Sequence, residues 1–168
     1  MDDDIKKLII NIPYSTLERS LEILALAGLF LNFYLIASTY GSLPGQLPRH
    51  YGFDGQVDAY GSKNLLVAFL IVPVFMYIIF KLAIRFPQIC NYPFKLTLQN
   101  AVAQVTLTRK MLLWLLTEII WFFLYTEWAT IQVALGNLEG LGPWFVIIFL
   151  VTIFGTIGIY FRKVYLAR

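Results

Sequence analysis

Residues 43–63 read LPGQLPRHYGFDGQVDAYGSK and separate two long apolar runs of the chain. The stretch mixes prolines, which fix φ, with glycines, which permit tight turns. A flexible linker does not need both constraints so densely, so we interpret the stretch as a compact, defined loop. Within it, the sequence FDGQ predicts a turn centred on Asp54 and Gly55.

The composition of the whole chain indicates the class of protein to which this loop belongs. The 168 residues are 59% hydrophobic, 17% aromatic and only 14% charged, and the mean hydropathy is +0.71. Soluble domains carry about 25% charged residues, so a polytopic membrane protein is expected. The net charge of +3 is scattered, which argues against nucleic-acid binding. The lone cysteine, Cys90, excludes an internal disulfide.

Four apolar stretches are long enough to cross a membrane, since a helical span needs roughly 20 residues. They lie at about residues 21–40, 64–84, 111–135 and 144–160. Their continuous apolar runs favour helices over a barrel, whose strands would alternate. The prediction is an all-α integral membrane protein, one domain over residues 1–168, with the structured Gly/Pro-rich loop between helices 1 and 2.

The distribution of basic residues predicts the orientation. The first loop holds two of the thirteen Lys and Arg residues, Arg49 and Lys63, and the other eleven lie near the termini and the second loop. The positive-inside rule therefore predicts cytoplasmic N- and C-termini and an extracytoplasmic first loop. The expected location is the bacterial plasma (inner) membrane, with Cys90 a reduced thiol on the cytoplasmic side.

Local signals predict where several helices begin and end. Ser15 with Glu18 forms a capping-box pattern before the first span, and Ser62 is placed to cap the second. Gly136 and Asn137 are placed to end the third. Residues 5–12 have an apolar face that suits the membrane surface, and residues 97–110 suit either an interfacial helix or an extension of the third span.

The polar residues of the loop allow two interpretations. His50, Asp54, Asp58 and Lys63 invite a site, in which His50 and Asp58 form one side of a metal or proton-linked centre. A lone histidine with two aspartates lacks the ligand count of a zinc motif. The alternative is structural: the aspartates accept bonds from backbone amides in turns, and His50 pairs with one of them.

Twelve positions in this loop follow a spaced pattern: Leu43, Pro44, Leu47, Pro48, His50, Tyr51, Gly55, Asp58, Tyr60, Gly61, Ser62 and Lys63. The pattern resembles a bacterial membrane-domain family of unknown function, found at the N-terminus of the sporulation-delaying toxin immunity protein. With a weaker match at residues 91–93, the resemblance covers about residues 20–95. It implies a functional loop motif, and it implies toxin immunity as a function inherited from a relative. The motif residues are Pro44, Pro48, His50, Gly55, Asp58, Gly61, Ser62 and Lys63.

The third span carries a stripe of polar and aromatic residues with helical spacing: Met111, Trp114, Glu118, Trp121, Tyr125, Trp128 and Gln132. Glu118 lies about 10 Å inside the inner end of the span. An ionised carboxylate there costs on the order of 3 kcal/mol or more, so we expect it to face the bundle, to be paired, or to carry its proton. The candidate partners are Asn32, Lys81, Trp121 and Tyr125.

Two roles remain open for Glu118: a proton-linked or ligand-contacting site, or a hydrogen bond that holds helices together. Glu127 lies near the opposite face and nearer the outer boundary, where it is expected to reach headgroups or to bond to the loop. Pro73, in the middle of the second span, predicts a kink. Asn32, Glu118 and Glu127 are therefore the intramembrane polar candidates.

The leading hypothesis is a non-enzymatic membrane protein whose loop recognises something at the outer face. The alternatives are a small transporter or proton-linked sensor centred on Glu118, an accessory subunit of a membrane complex, and a membrane enzyme that uses His50 with Asp54 or Asp58. The candidate partners are the lipid bilayer, a peptide toxin, another membrane protein and further copies of the chain. No catalytic residue, metal site or cofactor is predicted.

Overall fold

The computed structural model describes residues 3–168, so Met1 and Asp2 lie outside the described residues. Two strands and five α-helices, with short 3-10 turns at Tyr40–Ser42 and Pro87–Ile89, make up this part of the chain. The helices are α1 (Asp3–Ile10), α2 (Thr16–Thr39), α3 (Leu65–Arg85), α4 (Ala101–Ala134) and α5 (Phe145–Leu166). The strands are β1 (Gln46–Tyr51) and β2 (Val57–Ser62).

Helix α4 is the central element and packs against α2, α3 and α5. Thr117 donates to the carbonyl of Leu21 at 3.1 Å and Trp121 to that of Leu24 at 3.1 Å, so α2 and α4 run in the same direction. Helices α3 and α5 run the opposite way. Residues 101–110 form the N-terminal part of α4 and extend the predicted third span. This agrees with one of the two alternatives given for residues 97–110, the extension of that span.

Three helical segments of the described chain are long and apolar enough to cross a membrane: Thr16–Ser42, Leu65–Arg85 and Phe145–Leu166. Large apolar side chains such as Phe30, Phe75 and Phe154 are exposed on them. The prediction of membrane-type helices is confirmed for these three. Helix α4 is not among them, and it carries several buried polar residues along its length.

The prediction of an all-α fold is wrong, because the loop between α2 and α3 contains a β-hairpin. Strands β1 and β2 pair antiparallel, with Leu47 opposite Gly61 and Pro48 opposite Tyr60, and the register shifts beside His50. Side chains of β2 alternate between partly buried and exposed. The turn between the strands uses Gly55 at φ +78°, a conformation that favours glycine.

The predicted helix ends are largely confirmed. Ser15 and Glu18 form the complete capping box, and Gly136 takes φ +77° just beyond the end of α4. Ser62 accepts a bond from the amide of Asn64 at 3.3 Å rather than capping α3 itself. Helix α1 differs from expectation, because its apolar face, including Ile5, is buried against the start of α4.

Candidate functional site

The inner face of the hairpin is anchored on the helices. Leu47 and Pro48 are buried, and Leu47 packs in one cluster with Leu66 of α3 and Ile131 of α4. The hydroxyl groups of Tyr51 and Thr130 share a hydrogen bond of 2.8 Å. Burial raises the pKa of Tyr51, which keeps the phenol protonated for this contact.

The tip of the hairpin is held by the loop between α4 and α5. The amide of Leu141 donates to the carbonyl of Gly55 at 2.8 Å, and Tyr125 donates to the carbonyl of Leu141 at 2.9 Å. A Cβ at Gly55 would overlap the carbonyl of Gly142, and one at Gly140 would overlap the carbonyl of Gly55. We call Gly55, Gly140 and Gly142 the glycine latch, because only backbone fits between the two loops.

Lys63 closes the base of the hairpin. Its amide donates to the carbonyl of Gly45 at 3.0 Å. Its ammonium group donates to the carbonyl of Tyr40 at 3.4 Å and lies 4.6 Å from the centre of that tyrosine ring. Tyr40 in turn donates to Asn64 at 3.0 Å. The hairpin is therefore fixed at its tip, its inner face and its base.

Several polar side chains of the hairpin are exposed. His50 Nδ1 and Asp58 Oδ1 lie 2.7 Å apart, with 69% and 51% of their side chains exposed. Asp54 serves the turn instead, where it accepts from the amide of Gln56 at 3.0 Å. Within residues 3–168, no group of three His, Cys, Asp or Glu residues could hold a metal ion.

Three more side chains of the hairpin reach the surface: Arg49, Phe53 and Tyr60. All three are exposed, Phe53 to 80% of its surface. Arg49 lies across the backbone at Gly61, where a Cβ would come within 3.0 Å of its Cδ. We call Arg49, His50, Phe53, Asp58 and Tyr60 the exposed hairpin surface. Of the remaining motif residues, Pro44 and Ser62 are exposed beside it.

Glu118 finds a partner on α5 that the sequence did not indicate. Thr156 donates to its Oε1 at 2.6 Å, and its Oε2 is buried without a hydrogen-bond partner among the described residues. Lys81, one of the candidate partners, pairs with Glu22. Trp121 and Tyr125 donate to backbone carbonyls, and the side chain of Asn32 has no hydrogen-bond partner within residues 3–168.

The surroundings of Glu118 are grooves rather than the bundle centre. The predicted stripe forms the partly exposed side of α4, with Trp114 and Trp128 both exposed. Glu118 lines two neighbouring grooves between α4 and α5. The larger has a volume of about 640 Å³ and is walled by aromatic side chains, among them Phe122 and Trp144. A carboxylate at the junction of two apolar grooves is able to accept a bond from a ligand or from a neighbouring helix.

The expectation for Glu127 is wrong. Its side chain has 0% exposure, and neither carboxylate oxygen has a hydrogen-bond partner within the described part of the chain. It therefore neither reaches headgroups nor bonds to the hairpin. The reason is its position on the inner face of α4, one turn before Thr130, which makes the hairpin contact instead. Asn32 is equally buried, at 1% exposure.

A buried ion pair between Glu18 and Arg109 was missed by sequence reasoning. Arg109 Nε donates to Glu18 Oε1 at 2.6 Å, and its other nitrogens donate to the carbonyls of Ile12 and Pro13 at 3.0 and 2.9 Å. The guanidinium also lies 4.3 Å from the ring centre of Tyr14. In the sequence, Arg109 is one of the eleven basic residues that set the predicted topology, and no local pattern links it to a residue as distant as Glu18.

Comparison with known proteins gives two partial matches. Residues 27–77 match the model of a domain of unknown function, DUF1648. This region runs from the middle of α2 through the hairpin to the middle of α3, and it is narrower than the predicted resemblance over residues 20–95. An uncharacterized protein of Archaeoglobus fulgidus is 37% identical over 81 residues, which cover 44% of this chain and 43% of that protein. The aligned region thus spans less than half of the relative's length.

No solved structure matches the chain. The similarity is centred on the hairpin and the two helices that carry it, and the matched domain has no assigned function. Residues 27–77 are therefore similar to a domain of unknown function, and this matched region of the chain includes the exposed hairpin surface.

Proposed function

We propose that this chain is a non-enzymatic, multi-pass protein of the cytoplasmic membrane, and that its hairpin recognises a partner on the extracytoplasmic side. The observation that carries the proposal is the contrast between the anchored and the exposed residues of the hairpin. Leu47, Tyr51 and the glycine latch fix the hairpin to the bundle. The residues of the exposed hairpin surface make none of these anchoring contacts.

The composition of that surface supports recognition of a peptide or protein. Arginine and aromatic residues are enriched at protein interfaces, and tyrosine and arginine are common among their energetic hot spots. The exposed hairpin surface holds Arg49, Phe53 and Tyr60 beside the His50–Asp58 pair. Because the scaffold is already ordered, little conformational entropy is lost on binding.

The proposed topology has four spans, in which α4 crosses the membrane together with α2, α3 and α5. Contacts of α4 extend from Arg109, beside the N-terminal segment, to Thr130, beside the hairpin, so the helix follows the full length of the bundle. The excess of basic residues away from the hairpin favours cytoplasmic termini. Single cysteines at Gln56 and Gln99, in a Cys90→Ser background, test this in intact cells with a membrane-impermeant thiol reagent. Labelling of the cysteine at position 56 alone is expected, and labelling of the cysteine at position 99 alone would show the opposite topology.

Immunity to a peptide toxin is the specific form of recognition that we propose, on the resemblance of the loop motif. Cells that express the chain should survive an externally supplied peptide toxin that kills matched cells without it. Protection should be lost in Arg49→Ala and His50→Ala but retained in Glu118→Gln. Survival that depends on Glu118 and not on the hairpin would contradict recognition by this surface.

Site-specific photo-crosslinking tests recognition without assuming a toxin. A photoreactive amino acid at Tyr60 should give a discrete protein adduct in intact cells, and His50→Ala should reduce its yield. The same group at Phe75, an exposed apolar residue of α3, is the matched control and should contact lipid. Equal adduct patterns from both positions would contradict a specific partner at the hairpin.

A second candidate function, a small transporter or proton-linked sensor, is favoured by the geometry of Glu118. Glu118 lines two neighbouring grooves, and its buried Oε2 has no hydrogen-bond partner among the described residues, so the carboxylate retains capacity for a further bond. This function predicts that Glu118→Gln abolishes activity while the hairpin variants retain it. The outcome is therefore opposite to that expected for surface recognition.

A further inference from the structure

Asn32 and Glu127 bury four polar side-chain atoms without hydrogen-bond partners among residues 3–168. Buried polar groups in proteins are nearly always paired, and an unpaired carboxylate is strongly disfavoured in an apolar interior. Neither residue is used by the hairpin contacts or by Glu118. Two such residues on helices that pack together call for a common explanation.

The packing of α2 on α4 sets the level of each residue in the bundle. At one level, a Cβ at Gly28 would come within 2.7 Å of Ile120 Cγ2. Closer to the hairpin, Ile36 packs against the cluster that contains Ile131. The part of the α2–α4 interface that lies between these two contacts forms one layer of the bundle.

Asn32 and Glu127 both lie within this layer. At about 1.5 Å per residue, the backbone of Asn32 is about 6 Å beyond Gly28 and that of Glu127 about 10 Å beyond Ile120. Helical side chains tilt toward the N-terminus of their helix. Because α2 and α4 run in the same direction, both side chains tilt the same way, and the two residues stay within about one helical turn of each other along the bundle.

Helix α3 adds a third polar group to the layer. Pro73 is buried inside α3 and has no N–H, so the carbonyl of Phe69 lacks its usual helical donor. Phe69 packs against the Ile131 cluster, and its ring lies 6.3 Å from that of Phe123. The interrupted turn of α3 therefore falls beside the segment of α4 that carries Glu127.

We propose that Asn32, Glu127 and the carbonyl of Phe69 bind one monovalent metal cation, with Na⁺ the first ion to test. Carboxylate and carbonyl oxygens are hard ligands suited to such ions. Interrupted membrane helices supply backbone carbonyls to Na⁺ in the same way. One carboxylate balances one positive charge, whereas a divalent ion would leave a net charge in an apolar interior.

The test is the unfolding temperature of the full chain in lipid nanodiscs, measured by tryptophan fluorescence. Sodium chloride is compared with N-methyl-D-glucamine chloride at matched ionic strength. The wild-type chain should gain a saturable rise in unfolding temperature with Na⁺. Glu127→Gln, which keeps the shape of the side chain, should lose this rise, and Asn32→Ala should require more Na⁺ for half of it. Glu139→Gln, which removes an exposed carboxylate from the loop between α4 and α5, is the matched control and should behave as wild type.

Direct binding of radioactive Na⁺ gives a readout that does not depend on stability. The wild-type chain and Glu139→Gln should retain the ion, whereas Glu127→Gln should not, with gel filtration confirming that each variant is folded. Equal unfolding temperatures in both salts, with Glu127→Gln more stable than wild type in each, would overturn the proposal and assign a permanently protonated carboxyl. Undiminished Na⁺ binding by Glu127→Gln would also overturn it.

Discussion

Arg109 Nε donates to Glu18 Oε1 at 2.6 Å and ties the middle of the sequence to the first turn of α2. Both side chains are buried. Glu18 also accepts from the amide of Ser15 at 2.7 Å, as part of the capping box. The carboxylate of Glu18 therefore caps the N-terminus of α2 and also forms an ion pair with Arg109 of the neighbouring helix α4.

We expect Arg109→Ala to destabilise the fold by about 3–5 kcal/mol, because it leaves the buried Glu18 carboxylate without its counter-charge. Arg109→Lys should recover only part of this loss, since lysine cannot reproduce the planar set of donors to Glu18, Ile12 and Pro13. Unfolding in mixed micelles measures both variants. Near wild-type stability of Arg109→Ala would show that the pair contributes little.

The glycine latch gives a second prediction, about the tip of the hairpin. Gly55→Ala and Gly140→Ala should each cost about 1–3 kcal/mol, because the added methyl group overlaps a backbone carbonyl. Exchange of the Leu141 amide hydrogen, which bonds to Gly55, should accelerate in both variants. Gly41→Ala is the control, since a Cβ there has nothing within 4 Å. Unchanged exchange in Gly140→Ala would mean that the two loops are not held together.

Features fixed by neighbours in sequence were predictable, whereas contacts between distant segments were not. The capping box at Ser15 and the end of α4 at Gly136 depend on a few adjacent residues. The hairpin escaped prediction because its alternation is short and Pro48 lies inside a strand, where proline is usually confined to edges. A two-stranded sheet has only edges, so the residue is tolerated.

The polar residues of α4 show the same limit. Helical periodicity placed Glu118 and Glu127 on different faces, but it did not indicate which neighbours those faces meet. Thr156, which bonds to Glu118, lies 38 residues away on α5. The inner face of α4 holds Glu127, and the aromatic stripe lies on the partly exposed side, because α2 and α3 pack against the other face of the helix.

The Glu118–Thr156 bond gives a third prediction. If it serves only to join α4 and α5, Glu118→Gln should be nearly neutral, whereas Glu118→Leu and Thr156→Val should each destabilise the bundle. The coupling between the two sites should be modest, about 0.6 kcal/mol and at most about 2, as for other hydrogen bonds between membrane helices. A double-mutant cycle on unfolding free energies measures it. A stable Glu118→Gln variant without cellular activity would instead favour the transporter or sensor.

The thiol of Cys90 provides a fourth prediction, which concerns pH. Burial raises the pKa of this thiol, because the thiolate is poorly solvated there, and Sγ also donates to the carbonyl of Ala83 at 3.6 Å. Alkylation by N-ethylmaleimide requires the thiolate. Its rate at Cys90 should therefore rise only at a higher pH than the rate at an exposed thiol, and it should be slow near neutral pH.

The matched comparison is a cysteine at the exposed position Gln99 in a Cys90→Ser background, in the same detergent and with the chain folded. For each unit of upward shift in pKa, the thiolate fraction well below the pKa falls about tenfold. The sign also fixes an effect on stability: the folded state disfavours the thiolate, so this group lowers stability as pH rises above the ordinary thiol pKa. Coincident rate profiles for Cys90 and the Gln99 cysteine would contradict the buried environment of Cys90.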